Sequence, residues 1–327
     1  MRLNRSFIVS SLLFVMLILM LLHPAEVMEG AKYGLLLWYN SVVPALFPFM
    51  ILSGLIISQG SIHIFMEPVR RVLSKVIPIS ANGCYVLISG MLCGYPMGAK
   101  SCADFIANGQ LSVEEGKFLM ALSNHPSPMF IFGYMYPFFA SYIPVWIVIL
   151  SVYGPLLLLA PFASYLYLRN KQPEFRRKKN RIPMTEIRTE FKNAKTEPVT
   201  AQASTADECI LSSVLVLCKI GGYLVLFSIL IVFLRQIDLI PMELRLLMIG
   251  SMEMTTAIRE FVATFQNKTA FISSIAALTF GGISGIFQTN AVISKKAGLS
   301  IRPYILWKLL HAGSSALLTA ILCNLFL

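Results

Sequence analysis

Apolar residues in this chain are grouped into long blocks that contain few or no charges. The blocks cover residues 6–22, 34–58, 142–168, 210–234 and 304–327. A helix needs about 20 mostly apolar residues to cross a bilayer, and each block is close to that length. Only 13% of the 327 residues are charged, against roughly 25% in soluble proteins. The sequence therefore predicts an all-α, polytopic membrane protein.

The chain has a net charge of +11, and much of its basic density lies in one polar stretch, residues 169–208, which holds ten basic residues. Basic loops beside membrane spans usually lie in the cytoplasm and contact anionic lipid head groups. We therefore expect the lipid bilayer, and no nucleic acid, as the partner of these charges. The polar composition with few aromatic residues predicts a disordered loop.

The first block follows Arg2 and Arg5 and resembles a secretory signal peptide. It is long for such a peptide and no clear cleavage site follows it, so we interpret it as a retained helix whose N-terminus is cytoplasmic. Residues 62–78 alternate apolar and basic positions, which predicts a helix lying along the membrane surface.

Two apolar segments of the first half are interrupted. Residues 82–100 contain five glycine or proline residues, which favours a re-entrant hairpin over an ordinary span. Residues 114–139 are long enough to cross the membrane, but the sequence Asn-His-Pro-Ser-Pro at 124–128 lies in their middle. In the second half, residues 241–262 form a mixed segment and the glycine-rich and serine-rich residues 270–290 predict another hairpin.

The two halves therefore repeat one pattern of a span, a mixed segment, a broken hairpin and a second span. The similar residues 109–112 and 297–300 set a register that places Gly282 opposite Gly94. Counting spans from the basic loop predicts that the two repeats are inverted. Each repeat is expected to contain a re-entrant helical hairpin and a broken transmembrane helix, a layout typical of transporters.

Four basic residues of the second half conflict with inversion, because it would place Lys268, Lys295, Lys296 and Arg302 outside the cell. If residues 242–262 cross the membrane fully, these charges lie inside. Both topologies remain open at this stage.

Three motifs point to a known family. They are GYPMGAK at 94–100, Asn124-x-x-x-Pro128 followed by Phe130, and GGISGxxQ at 281–288. Together they resemble the YlbJ family of sporulation integral membrane proteins, and the resemblance covers nearly the whole chain. At the break, the family usually has Asn-Thr-Ser-Gly-Pro where this chain has Asn-His-Pro-Ser-Pro.

The resemblance implies a nucleoside-recognition or Gate fold, related to concentrative nucleoside transporters and to the gate region of ferrous-iron transporters. It also implies a sporulating Firmicute and the movement of dipicolinate across the outer forespore membrane. The expected organisation is an N-terminal helix and connector (1–33), a first Gate-like repeat with a linking span (34–168), the basic loop (169–208) and a second repeat (209–327).

Helix breaks inside a membrane free backbone groups, which a ligand or neighbouring side chains must satisfy. We therefore expect the substrate at the breaks, where half-helix N-termini attract anions. Lys100 either pairs with an anionic substrate or reaches the interface as an anchor. Glu253 either has a function or faces water, and His125 is either a proton carrier or a satisfied polar residue. The predicted substrate-binding residues are Gly94, Tyr95, Pro96, Gly98, Lys100, Asn124, His125, Ser127, Glu253, Ser284, Gln288, Thr289 and Asn290.

These observations predict a secondary transporter or facilitator of a small anionic metabolite. The chain has no Walker motif and no recognisable catalytic or metal-binding motif, so we expect neither an enzyme nor a cofactor, although a coupling H⁺ or Na⁺ remains open. A nucleoside or nucleobase transporter and a non-transporting sporulation scaffold are the alternatives.

Overall fold

A computed structural model describes residues 5–58, 62–73, 77–168, 206–293 and 297–327, and these residues form helices without any strand. Most of the basic loop, 169–205, lies outside the described residues. The helices of the first half are α1 (Arg5–Leu22), α2 (Pro24–Leu37), α3 (Val43–Ser58), α4 (Ile62–Leu73), α5 (Ala81–Cys93), α6 (Met97–Ala107), α7 (Val113–Leu122), α8 (Pro128–Phe130) and α9 (Val145–Leu168). Those of the second half are α10 (Ala206–Arg235), α11 (Met242–Met252), α12 (Met254–Thr264), α13 (Asn267–Phe280), α14 (Gly282–Val292) and α15 (Ile301–Phe326).

Within the described ranges, four helical stretches are long and apolar enough to cross a membrane. They are Val145–Leu168, Ala206–Arg235, Asn267–Val292 and Ile301–Phe326. The bent pair of α1 and α2, which meet at 103°, adds a fifth if it crosses as one span. The spans predicted at 142–168, 210–234 and 304–327 are thus confirmed to within a few residues, and the chain is an integral membrane protein.

The second helix begins ten residues earlier than the predicted span. Helix α2 starts at Pro24 and has Glu26 in its first turn, two features that favour a helix N-terminus. It continues through a π-helical turn, Trp38–Val42, into α3. Hydropathy missed its first turns because Glu26, Glu29 and Lys32 interrupt the apolar pattern.

Helix α2 packs closely on α10 along two glycines one turn apart. A Cβ added at Gly30 would lie 2.7 Å from Ile229 Cα, and one at Gly34 would lie 2.8 Å from Val225 Cα. Small residues at this spacing let helix backbones approach in membranes. The Trp38 indole N–H extends the contact by donating to the Leu217 carbonyl at 2.8 Å.

The glycine-broken residues 82–100 fall within two short helices, α5 and α6, that we call the first hairpin. The turn at Gly94 joins them, and the rings of Tyr85 and Phe105 meet across the pair at 5.9 Å. The next predicted interruption is also present: α7 ends at Leu122 and helical structure resumes at Pro128. We call residues 123–127 the first break.

The second half differs from the prediction. Residues 270–290 do not form a hairpin, because α13 and α14 are separated by Gly281 alone and together have the length of one span. Gly281 has a left-handed backbone, with φ of 81°, and we call it the second break.

The second hairpin instead consists of α11 and α12, which meet at Glu253. Leu246 and Ile249 of α11 cluster with Ala257 and Phe261 of α12, as expected when the chain reverses direction at Glu253. The sequence concealed this hairpin because its turn contains no glycine or proline.

We predict that Gly34→Leu destabilises the protein, because the larger side chain would collide with the α10 backbone. Overpacking of this kind costs about 1–3 kcal/mol. Thermal unfolding of detergent-purified protein should therefore occur at a lower temperature for Gly34→Leu than for the wild type. Gly222→Leu on α10 is the control, since a Cβ there meets nothing within 4 Å. Equal losses in both variants would contradict the close packing of α2 on α10.

Candidate functional site

The two hairpins and the two breaks meet around one cavity. Most of its polar lining comes from the turn of each hairpin and from the residues at or beside each break, and Ser41 of the π-helical turn adds a hydroxyl. Apolar residues of α2, α3 and α10 close the remaining side. The residues lining the cavity include Leu37, Ser41, Val42, Leu46, Cys93, Gly94, Tyr95, Pro126, Ser127, Phe130, Leu224, Glu253, Met254, Thr255, Gly281, Ser284 and Gln288.

The turn of the first hairpin rests directly on the first break. Gly94 has a φ of 82°, and a Cβ there would lie 2.8 Å from the Ser127 nitrogen, so both conformation and space require glycine. The Tyr95 N–H donates to the His125 carbonyl at 3.0 Å. Two interruptions of helical structure thus satisfy each other's backbone groups.

Tyr95 also joins the first hairpin to the second half of the chain. Its hydroxyl contacts the Met254 sulfur at the second hairpin. A Cβ added at Gly281 would lie 3.3 Å from the Tyr95 ring, so the ring packs against the second break. Nearby, the Tyr134 hydroxyl donates to the Thr255 carbonyl at 2.8 Å.

Glu253 caps the N-terminus of α12 from inside the cavity wall. Its carboxylate accepts from the backbone N–H of Thr255 at 3.0 Å and of Thr256 at 2.8 Å, and also from the Thr255 hydroxyl. The residue is 2% exposed. A helix N-terminus stabilises a negative charge, so this buried carboxylate has the partners that it needs.

Two further half-helices are capped by the first break. The Asn124 side-chain oxygen accepts from the Ala99 N–H of α6 at 3.0 Å, and the Ser127 hydroxyl accepts from the Phe130 N–H of α8 at 3.1 Å. Among the described residues, no side chain caps α14. Ser284 and Gln288 stand on its cavity side, where the Gln288 amide donates to the Ser284 hydroxyl at 3.0 Å.

Other predicted site residues lie beside the cavity or away from its lining. Pro96 precedes α6, and Gly98 packs on the Ser123 carbonyl. The Lys100 ammonium donates to the Asp104 carboxylate at 2.8 Å. The Thr289 hydroxyl faces the Tyr304 hydroxyl at 3.4 Å, and Asn290 is exposed.

One buried lysine beside the cavity, Lys308, is not among the residues predicted from the sequence. Lys308 of α15 is 3% exposed, and its ammonium donates to the Asn124 carbonyl at 3.2 Å while lying 5.3 Å from the Tyr95 ring centroid. His311 follows one turn later, and its ring meets that of His125 at 4.9 Å. The available signal was a lysine within an apolar span, although a lysine near the end of a span is also typical of an interfacial anchor.

The fold and the site define a multi-pass helical membrane protein with a cavity at converging helix breaks. The chain is 27% identical over 326 aligned positions to the sporulation integral membrane protein YlbJ of Bacillus subtilis, covering 92% of this chain and 78% of that protein. This match confirms the resemblance to the YlbJ family. No family model and no solved structure matches the chain.

We predict that Glu253→Ala lowers the thermal stability of the purified protein. The change removes the N-cap and so leaves two buried N–H groups without an acceptor, which costs about 1–3 kcal/mol for each group. Glu253→Gln keeps one acceptor oxygen and should lose less. Glu243→Ala is the control, because Glu243 is an exposed carboxylate in the first turn of α11. A loss no greater than that of the control would refute the capping role.

Proposed function

We propose that this protein is a membrane transporter of a small anionic metabolite, with dipicolinate as the substrate that the YlbJ resemblance implies. The observation that carries the proposal is the convergence of two hairpins and two breaks on one cavity. Backbone that leaves the helix at membrane depth is tolerated where it is buried or lines a cavity. In transporters, such interrupted helices form the substrate site.

The order of elements supports two inverted repeats. The first half has a span (α2–α3), a hairpin (α5–α6), a broken span (α7–α8) and a second span (α9). The second half repeats this order with α10, α11–α12, α13–α14 and α15. Because each half crosses the membrane three times in this arrangement, the two halves have opposite orientations. In each half, the turn of the hairpin meets the break in the next span along the chain.

This arrangement reduces the charge conflict in the sequence. If α13–α14 crosses the membrane, the connection to α15 lies on the same side as the basic loop. That connection and the start of α15 contain Lys295, Lys296 and Arg302, which then obey the positive-inside rule. Lys268, in the first turn of α13, is left on the opposite side.

The chemistry of the cavity suits an aromatic anion. Leu37, Val42 and Phe130 offer apolar surface for a ring. The N-terminus of α14 supplies partial positive charge and N–H donors for a carboxylate, with Ser284 and Gln288 beside it. Lys308 adds a buried cation behind the Tyr95 ring.

A nucleoside transporter is the second candidate. The observation in its favour is the Glu253 carboxylate in the cavity wall, which would repel an anion but would accept hydrogen bonds from a sugar or base. The scaffold alternative requires no substrate in the cavity at all.

The test is uptake of radiolabelled dipicolinate by proteoliposomes that contain the purified protein. We expect saturable uptake that empty vesicles lack, and we expect Ser284→Leu to reduce it by at least tenfold, because the side chain would fill the cavity beside Gln288. Ser273→Leu on α13 is the control, since Ser273 lines a separate groove outside the cavity.

Two other uptake results would each change the conclusion. Uptake of nucleosides in place of dipicolinate would favour the second candidate, and uptake of neither would favour the scaffold. Lys100→Ala in the same assay decides whether Lys100 binds substrate in addition to pairing with Asp104. Microscopy of a tagged chain in sporulating cells would test the proposed location in the outer forespore membrane.

A further inference from the structure

Lys308 is a buried cation without a carboxylate partner in the described part of the chain. It lies in α15, a helix apolar enough to cross the membrane, and it is 3% exposed. The contacts of its ammonium group are the Asn124 carbonyl at 3.2 Å and the face of the Tyr95 ring. No ion pair among the described residues includes it.

A charge in this environment is only partly compensated. Burying an ammonium group is costly unless an opposite charge accompanies it, and residues of this kind within membrane spans usually serve ion or substrate pathways. Asn124 follows the C-terminal end of α7, where the helix dipole gives partial negative charge. This partial charge favours the protonated amine but does not replace a carboxylate partner. The charge of Lys308 therefore depends on what else enters the site.

Within the described ranges, the groups that face Lys308 can exchange protons but include no carboxylate. Tyr95 comes from the first hairpin, His125 from the first break, and Tyr304 and His311 from α15 itself. Tyr153 of α9 donates to the Pro126 carbonyl at 3.3 Å. The nearest cavity carboxylate, that of Glu253, lies beyond Tyr95, at the hairpin turn that the tyrosine hydroxyl contacts.

Two histidines extend the cluster away from the cavity. The His311 Nε2 atom lies 2.8 Å from the Val152 carbonyl, and the His125 Nε2 atom contacts the Leu122 carbonyl. The Nδ1 atom of each ring is buried and has no hydrogen-bond partner among the described residues. These two atoms are available for a water or a proton beside Lys308.

The contacts of Lys308 belong to the parts of the fold that build the cavity. Tyr95 lines the cavity on the first hairpin, and the Asn124 backbone belongs to the first break. Any movement of the hairpin turn relative to the break therefore changes at least one of these contacts. A carboxylate in the cavity would favour the protonated amine across the Tyr95 ring.

We propose that Lys308 is the proton-binding site that couples proton movement to substrate transport. Its amine takes up a proton as the anion enters, and it releases that proton on the other side of the membrane when the anion leaves. The inference rests on the proposed transport function and adds the coupling ion and the residue that binds it.

The experiment compares dipicolinate uptake by proteoliposomes with and without an inward proton gradient. With one proton carried per anion, a gradient of one pH unit supports about tenfold greater accumulation. We expect this response in the wild type and its loss in Lys308→Met, which removes the titratable amine. Exchange of internal for external dipicolinate at equal pH requires no net proton movement. It should persist in Lys308→Met with a weaker affinity for dipicolinate, because methionine lacks the charge that favours the bound anion.

Two variants separate coupling from folding. Lys308→Arg keeps a permanent positive charge and should also retain exchange while losing the gradient response, so it provides the result if Lys308→Met does not purify as a folded protein. Lys219→Met removes an exposed lysine of α10 that does not line the cavity and should respond to the gradient as the wild type does.

The outcomes distinguish this inference from the proposed function. Wild-type uptake that ignores the proton gradient, or a gradient response that persists in both Lys308 variants, overturns the role of Lys308 and leaves transport standing. Absence of both uptake and exchange in the wild type overturns transport and the coupling role together.

Discussion

Backbone groups freed by a break in a membrane helix must find hydrogen-bond partners within the protein, because lipid offers none. In this protein the interruptions satisfy one another. The side chain of Asn124 at the first break caps α6 of the first hairpin, and its carbonyl accepts from Lys308. The Tyr95 backbone at the hairpin turn donates to the carbonyl of His125. Each break is therefore stable only where the other elements surround it.

This mutual dependence explains why one cavity forms at this place. Helices that end inside a packed bundle leave space beyond their ends, and here that space is shared. Glu253 closes the N-terminus of α12 with its own carboxylate, whereas α14 follows Gly281 without a side-chain cap. The cavity therefore adjoins one helix N-terminus that is capped by a carboxylate and another that has no side-chain cap among the described residues.

The same contacts connect the two halves of the chain mechanically. Tyr95 touches the first break, the second hairpin, the second break and α15, so the position of one ring depends on four separate elements. A movement of either hairpin would therefore alter the contacts of the Tyr95 ring. A side chain that joins several elements, as Tyr95 does, suits a protein with two discrete packing arrangements.

Sequence reasoning succeeded where a local pattern decided the structure. The spans α9, α10 and α15 follow from uninterrupted apolar runs, and the first break follows from two prolines near Asn124. It failed at the second hairpin, where the glycine-rich residues 270–290 attracted the prediction and the true turn at Glu253 has no local signature. The capping of α12 by that carboxylate is visible only in the folded chain.

The sequence by itself determined that this is an all-helical membrane protein and identified the first hairpin, because hydropathy and glycine or proline breaks act within a few residues of the chain. Tertiary structure alone decided which interruptions face each other, and it placed Lys308 beside Asn124 and Tyr95. Such pairings join residues that are far apart in the chain, and they arise because buried polar groups must find partners wherever the packed helices bring them together.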